Sequence, residues 1–185
     1  MSIASSHRDP GRTRRWIACG LAAAALGAWL PAATGEAAEP KQLGAFNSWK
    51  AFVVTDGKAK HCFVYSEPSR EEGRYDRRGK VSVSISHRTQ DKVRNEISFS
   101  AGYAYKPESE VEVLIDGKQR FTLFVDGEAA WAPDDATDTA LRKAIEAGST
   151  MTVKGRSSRG TLTTDTYSLS GTSAALARID RECRT

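Results

Sequence analysis

The strongest constraint on the fold of this chain is a two-residue rhythm of apolar and polar side chains. Val81, Val83 and Ile85 alternate with Ser82, Ser84 and Ser86. Successive side chains of a strand point to opposite faces, so this stretch has one dry face and one wet face. That is the pattern of an antiparallel sheet packed on one side. Val93, Ile97 and Phe99 repeat it after a turn at Thr89 to Lys92, and Val111, Val113 and Ile115 repeat it again. Asp116-Gly117 then predicts a hairpin turn, because Gly tolerates positive φ, and Phe121, Leu123 and Val125 form the return strand. Asp126-Gly127 leads into Glu128 to Ala132, which completes a β-meander with two Asp-Gly turns.

Upstream, Trp49, Ala51 and Val53 share one face of a strand over Trp49 to Thr55. His61 to Ser66 carries Cys62 and Val64 on one side and Phe63 and Tyr65 on the other. Ser66 to Lys80 reads as a charged, solvated loop punctuated by Pro68, Gly73 and Gly79. Two helices interrupt the β pattern. Asp134, Asp135 and Asp138 suit the N-terminus of a helix over Thr137 to Ala147, with Leu141, Ala144 and Ile145 on its apolar face and Gly148 as its stop. Strands at Thr150 to Lys154 and Thr161 to Ser170 follow. Thr172 or Ser173 is placed to cap a last helix, on which Leu176, Ile179 and Cys183 share a face. Seven or more short strands between turns favour two packed antiparallel layers, a β-sandwich, over a barrel.

The first 37 residues read as a signal peptide and are set aside from the fold. Arg8 to Arg15 is a basic stretch, Trp16 to Leu30 an uncharged Ala/Leu/Gly run, and Pro31 and the small residues after it a cleavage region. The rival is an uncleaved anchor, since Trp16 to Gly35 is about long enough to span a bilayer. Residues 38–48 read as a flexible lead-in and 49–185 as a single domain. The net charge of +4 falls to near +2 without the leader. That is too mild for a nucleic-acid partner, which calls for a dense basic face. Cleavage would leave two cysteines, Cys62 and Cys183. An even count in an oxidising compartment predicts one disulfide, the alternative being two separate buried thiols.

Several short patterns then fall in one order: Trp49, Cys62, Gly102-Tyr103-Ala104-Tyr105-Lys106-Pro107, Ala130-Trp131-Ala132, Ala147 to Met151, Gly155 to Thr161, Asp165 to Gly171 and Cys183. This ordered set resembles the invasion-associated locus B family of Gram-negative bacterial envelope proteins. The resemblance implies a periplasmic or secreted protein with an immunoglobulin-like β-sandwich. One member's association with host-cell invasion gave the family its name, so a link to host interaction is implied by the resemblance alone. It brings no catalytic residues to map.

Chemistry-bearing motifs are few. His61 and His87 are the only histidines after the leader, and neither accompanies a G-x-S-x-G nucleophile turn. The serines near His87 read as an exposed polar strand face. No phosphate-binding loop or dinucleotide fingerprint is present. No metal ligands cluster, so no metal and no cofactor are expected. Gly155 to Thr161 is the stretch that invites a ligand: Arg156 and Arg159, flexible glycines and hydroxyls could hold an anionic group. The plainer alternative is a hairpin turn with Arg159 paired to Asp165. Tyr103 and Tyr105 join the arginines as candidate contacts, buried or exposed. The expectation is a non-enzymatic module that binds an envelope or host macromolecule. A small-ligand carrier and an enzyme with an unfamiliar site are the alternatives.

Overall fold

The computed structural model describes residues 38–184. The signal peptide expected over residues 1–37 lies outside the described residues. The strands are β1 (Lys41–Phe46), β2 (Trp49–Asp56), β3 (Ala59–Ser66), β4 (Arg70–Gly73), β5 (Ser82–Arg88), β6 (Val93–Ser100), β7 (Glu110–Ile115), β8 (Gln119–Asp126), β9 (Ala129–Trp131), β10 (Thr150–Arg156) and β11 (Leu162–Ser168). The helices are α1 (Asp135–Ala147) and α2 (Thr172–Glu182).

Every strand pair is antiparallel, and the hydrogen-bonded order is β1-β2-β3-β5-β6-β9-β8-β7-β10-β11-β4. The two expected layers are therefore joined into one continuous sheet through β6, β9 and β8. Both halves of that sheet turn their apolar faces to the same core. Ala51, Val64, Ile85, Ile97 and Phe99 come from one half, and Val113, Leu123, Met151, Val153 and Tyr167 from the other. Those from β2 to β8 are the residues picked out by the alternation; Met151, Val153 and Tyr167 extend the same pattern into β10 and β11. Trp49, fully buried, ties the layers at one end: its indole N–H donates to the Ser168 carbonyl at 3.1 Å.

The meander forms as read. Asp116 and Gly117, at φ 51° and 67°, occupy the centre of the turn between β7 and β8, the double positive φ of a type I′ turn. The Asp116 carboxylate also accepts the backbone N–H groups of Ser149 and Thr150, which fixes the entry to β10. Asp134 caps α1 by accepting from the Thr137 N–H at 2.7 Å. Leu141, Ala144 and Ile145 bury against the core.

Three local readings are corrected. The lead-in at 38–48 is not loose throughout, because Lys41–Phe46 is an edge strand paired to β2. It lacks alternation because its register shifts between Gln42 and Gly44. The charged loop contains β4, whose four residues are all exposed and which is held to β11 by backbone pairing and by Arg78, bridging Glu71 and Asp165. The last helix has no side-chain cap: Gly171, at φ 93°, is its N-cap, and the Thr172 hydroxyl donates back to the Leu169 carbonyl. A Cβ at Gly171 would stand 2.0 Å from the Phe46 carbonyl oxygen, so close approach to β1 excludes a larger residue there.

Cys62 and Cys183 are bonded, with their Cα atoms 6.0 Å apart and both residues fully buried. The bond fastens the end of α2 to β3, on the inward face shared with Val64 and Ile179.

Candidate functional site

A groove of about 630 Å³ lies at the Thr163 end of β11. Three segments wall it: Arg74–Arg77 after β4, Tyr103 and Ala104 before β7, and the turn Ser157–Thr161 between β10 and β11. Backbone bonds hold these segments together. Ser158 N–H donates to the Ala104 carbonyl at 2.8 Å, Lys106 N–H to Arg156 at 2.9 Å, and Gly79 N–H to Gly102 at 2.8 Å. Gly155 permits this packing, since a Cβ there would meet the Tyr105 ring at 2.7 Å.

Beneath the groove lies a buried ion pair. Arg78 donates to both oxygens of Asp165, at 2.7 and 2.6 Å, and its Nε donates to the Ala101 carbonyl at 2.7 Å. The two side chains are 3% and 5% exposed. Burial works against the Arg78 charge, but the hydrogen bonds to Asp165 outweigh it and hold its pKa above the ordinary value. The guanidinium also sits 5.3 Å from the ring centroids of both Tyr75 and Tyr103. Tyr103 shares a 2.6 Å hydrogen bond with Thr163. Burial raises the pKa of its hydroxyl, so it stays protonated and available as a donor.

The sequence-predicted residues divide around this groove. Tyr103 and Arg159 line it. Tyr105 is buried in the core, edge-on to Tyr103, and serves as the support beneath. Arg156 faces away; it braces the turn by donating to the Gly160 carbonyl at 3.1 Å. The expected pairing of Arg159 with Asp165 is not made, because Arg78 occupies both carboxylate oxygens. Arg74, Tyr75 and Arg77 were missed. They sit in a run of alternating charge that resembles any solvated loop, and nothing local to it marks which side chains face a groove.

The pairing of the arginines is informative. Arg70, Arg78, Arg88, Arg94, Arg120, Arg142 and Arg178 all have carboxylate partners. Arg74, Arg77 and Arg159 are exposed, and none of them forms an ion pair or side-chain hydrogen bond among the described residues. Three unengaged guanidinium groups thus converge on one groove.

The polar serine face near His87 does not include His87 itself: the ring continues the inward parity of Val81, Val83 and Ile85, opposite buried Cys62, and is 1% exposed. Its Nδ1 accepts the Asn95 backbone N–H at 3.0 Å, which places the ring proton on Nε2, donating to Asp180 at 2.8 Å. Arg142 donates to the other Asp180 oxygen at 2.6 Å. Burial, only partly opposed by Asp180, lowers the His87 pKa, so the ring is neutral at pH 7. This network joins α1, α2, β5 and β6 and lies beside the disulfide, since His87 is the cross-strand partner of Cys62.

Fold and groove define a disulfide-closed antiparallel β domain with a basic, hydroxyl-lined recess at one end. The chain belongs to the Invasion associated locus B (IalB) protein family, whose model matches residues 49–180. That span contains the whole groove and ends shortly before Cys183. No curated protein and no solved structure matches the chain. No helix among the described residues is long and apolar enough to cross a membrane.

Proposed function

We propose that the chain is an exported, non-enzymatic binding module of the bacterial envelope, periplasmic or secreted, which recognises an anionic group on a macromolecule through the Tyr103–Arg159 groove. The observation that carries this reading is the convergence of Arg74, Arg77 and Arg159, unengaged within the described chain, on a single recess. Guanidinium groups with free forks bind carboxylate and phosphate bidentately. The buried Arg78–Asp165 pair keeps the Tyr75–Tyr103 wall in place without consuming those forks. Family membership supports the envelope setting. His87 is engaged by Asp180 and the Asn95 backbone, which supports a structural role for the ring rather than a catalytic one.

The test is a pull-down from envelope extracts with the tagged chain and with the triple variant Arg74→Gln/Arg77→Gln/Arg159→Gln, at low and high salt. The expected result is a macromolecule retained by the parent chain, released by salt and absent with the variant. Equal recovery by both proteins would refute the role of the groove.

A further inference from the structure

We infer that the groove takes an acidic saccharide: a short run of sugar rings bearing carboxylate or phosphate. This rests on the anion-binding role proposed above and specifies its ligand. The lining contains no Leu, Ile, Val, Phe, Met or Trp. An apolar peptide side chain or an acyl chain would meet only the Tyr75 and Tyr103 rings and Ala104, whereas sites for such groups are predominantly hydrophobic. Hydroxyls line it instead: Ser158 and Thr161 at the surface, with Ser157 and Thr163 buried behind them and bonded to the Thr161 N–H and to Tyr103. Hydroxyls both donate and accept, which suits a ligand that is itself rich in hydroxyls.

The groove is also not uniformly basic. Asp76 stands among the three arginines. Against a bare polyphosphate or a nucleic-acid backbone that carboxylate is repulsive. Against a sugar it is an acceptor for ring hydroxyls, while the arginines take the acidic substituents. Tyr75 remains 39% exposed at the wall, held by Arg78 and by a 3.5 Å contact of its hydroxyl with Glu71. A tyrosine ring fixed in this way offers a flat amphipathic surface for the C–H face of a sugar at small entropic cost. The volume, about 630 Å³, lies within the range of roughly 300–1,000 Å³ of small-ligand sites and leaves room for about two or three rings.

Titration calorimetry on the purified chain decides the matter with five probes: tri-galacturonate, a bisphosphorylated glucosamine disaccharide, maltotriose, inorganic phosphate and hexa-aspartate. At least one of the two acidic saccharides is expected to bind tenfold or more tightly than maltotriose, phosphate and the peptide. The triple Arg→Gln variant should lose that binding tenfold or more. Tyr75→Ala should weaken it severalfold with the melting temperature unchanged. Which of the two saccharides binds identifies the acidic substituent as carboxylate or phosphate. Hexa-aspartate or phosphate binding as tightly as both saccharides would overturn the saccharide assignment and leave the anion-binding role standing. Failure of both saccharides together with those two anions would overturn both readings.

Discussion

Reducing the Cys62–Cys183 bond should lower the stability of the domain by about 5 kcal/mol without releasing α2. The bond closes a loop with a sequence separation of 121 residues. In the chain-entropy treatment a loop of that length removes about 16 cal/mol/K from the unfolded ensemble, or about 5 kcal/mol at 25 °C. For a domain of this size that corresponds to a fall of roughly 10–20 °C in melting temperature. The effect acts on the unfolded chain, so it does not require α2 to depend on the bond in the native state. Other contacts hold the helix: Asp180 bonds Arg142 and His87, Lys60 reaches Glu182 at 2.8 Å, and Ala175, Leu176 and Ile179 are fully buried. Both cysteines are inaccessible in the folded state, so the reductant has to be applied in denaturant and the chain refolded with it present. Urea titrations of the oxidised and reduced forms give the difference directly, and far-UV circular dichroism under native conditions reports the helix. A loss below about 2 kcal/mol would refute the unfolded-state argument. Disappearance of helical signal in the reduced native form would refute the claim that the polar network and the core retain α2.

Asp165→Asn removes the bidentate carboxylate of buried Arg78 and leaves it only Glu71, at 3.4 Å, so it should cost about 2–4 kcal/mol, read by urea denaturation; a change under about 1 kcal/mol would mean that Glu71 or water compensates the charge. Asp138 is 8% exposed, and burial, opposed by the Ile97 N–H and reinforced by Glu96, pushes its pKa to about 6. A carboxyl whose folded pKa exceeds its unfolded value near 3.8 contributes stability that is complete below that value and is lost as pH rises through 6. The parent chain should therefore lose about 2–3 kcal/mol relative to Asp138→Asn between roughly pH 4 and pH 7, and parallel stability curves would refute this. Intact-mass analysis of envelope-fraction protein should place the mature N-terminus between Glu36 and Glu39; a species that retains Met1 to Thr34 would point to a membrane anchor instead.

The parts of this fold that were legible are those in which burial alone selects the residue type. Val83 and Ile85, with Val81 buried in the same parity, or Val111, Val113 and Ile115, face inward every second position, and the sequence has to record that. The two Asp-Gly turns were legible because positive φ restricts which residues can occupy them. What escaped was stabilised by something other than an apolar face. β4, with the sequence Arg-Glu-Glu-Gly, buries nothing and exists through its backbone bonds to β11 and the Arg78 bridge from Glu71 to Asp165. His87 shares the inward parity of Val81, Val83 and Ile85, but the partner that a buried imidazole needs, Asp180, lies 93 residues away and nothing local marks it. Asp165 was recognised as a partner for an arginine, but the arginine that reaches it lies 87 residues away, in a loop with several candidates.

The same distinction explains why the groove is harder to see than the scaffold that carries it. β11 runs from Thr163 in the groove to Ser168, where Trp49 closes the layers. Its inward residues are fixed by the core, so each substitution there has a packing cost. The groove residues at 74–77 and 157–161 lie on connections whose own side chains contribute little to burial. Their backbone is anchored instead by Gly79, Gly102 and the bond from Ser158 to Ala104. A loop pinned through its backbone can change its exposed side chains at small cost in stability. The identities of Arg74, Arg77 and Arg159 are therefore not demanded by the fold. In the proposed reading a ligand supplies that demand, and that is why the proposal rests on these three guanidinium groups, which have no partner within the described chain, rather than on the buried, paired Arg78.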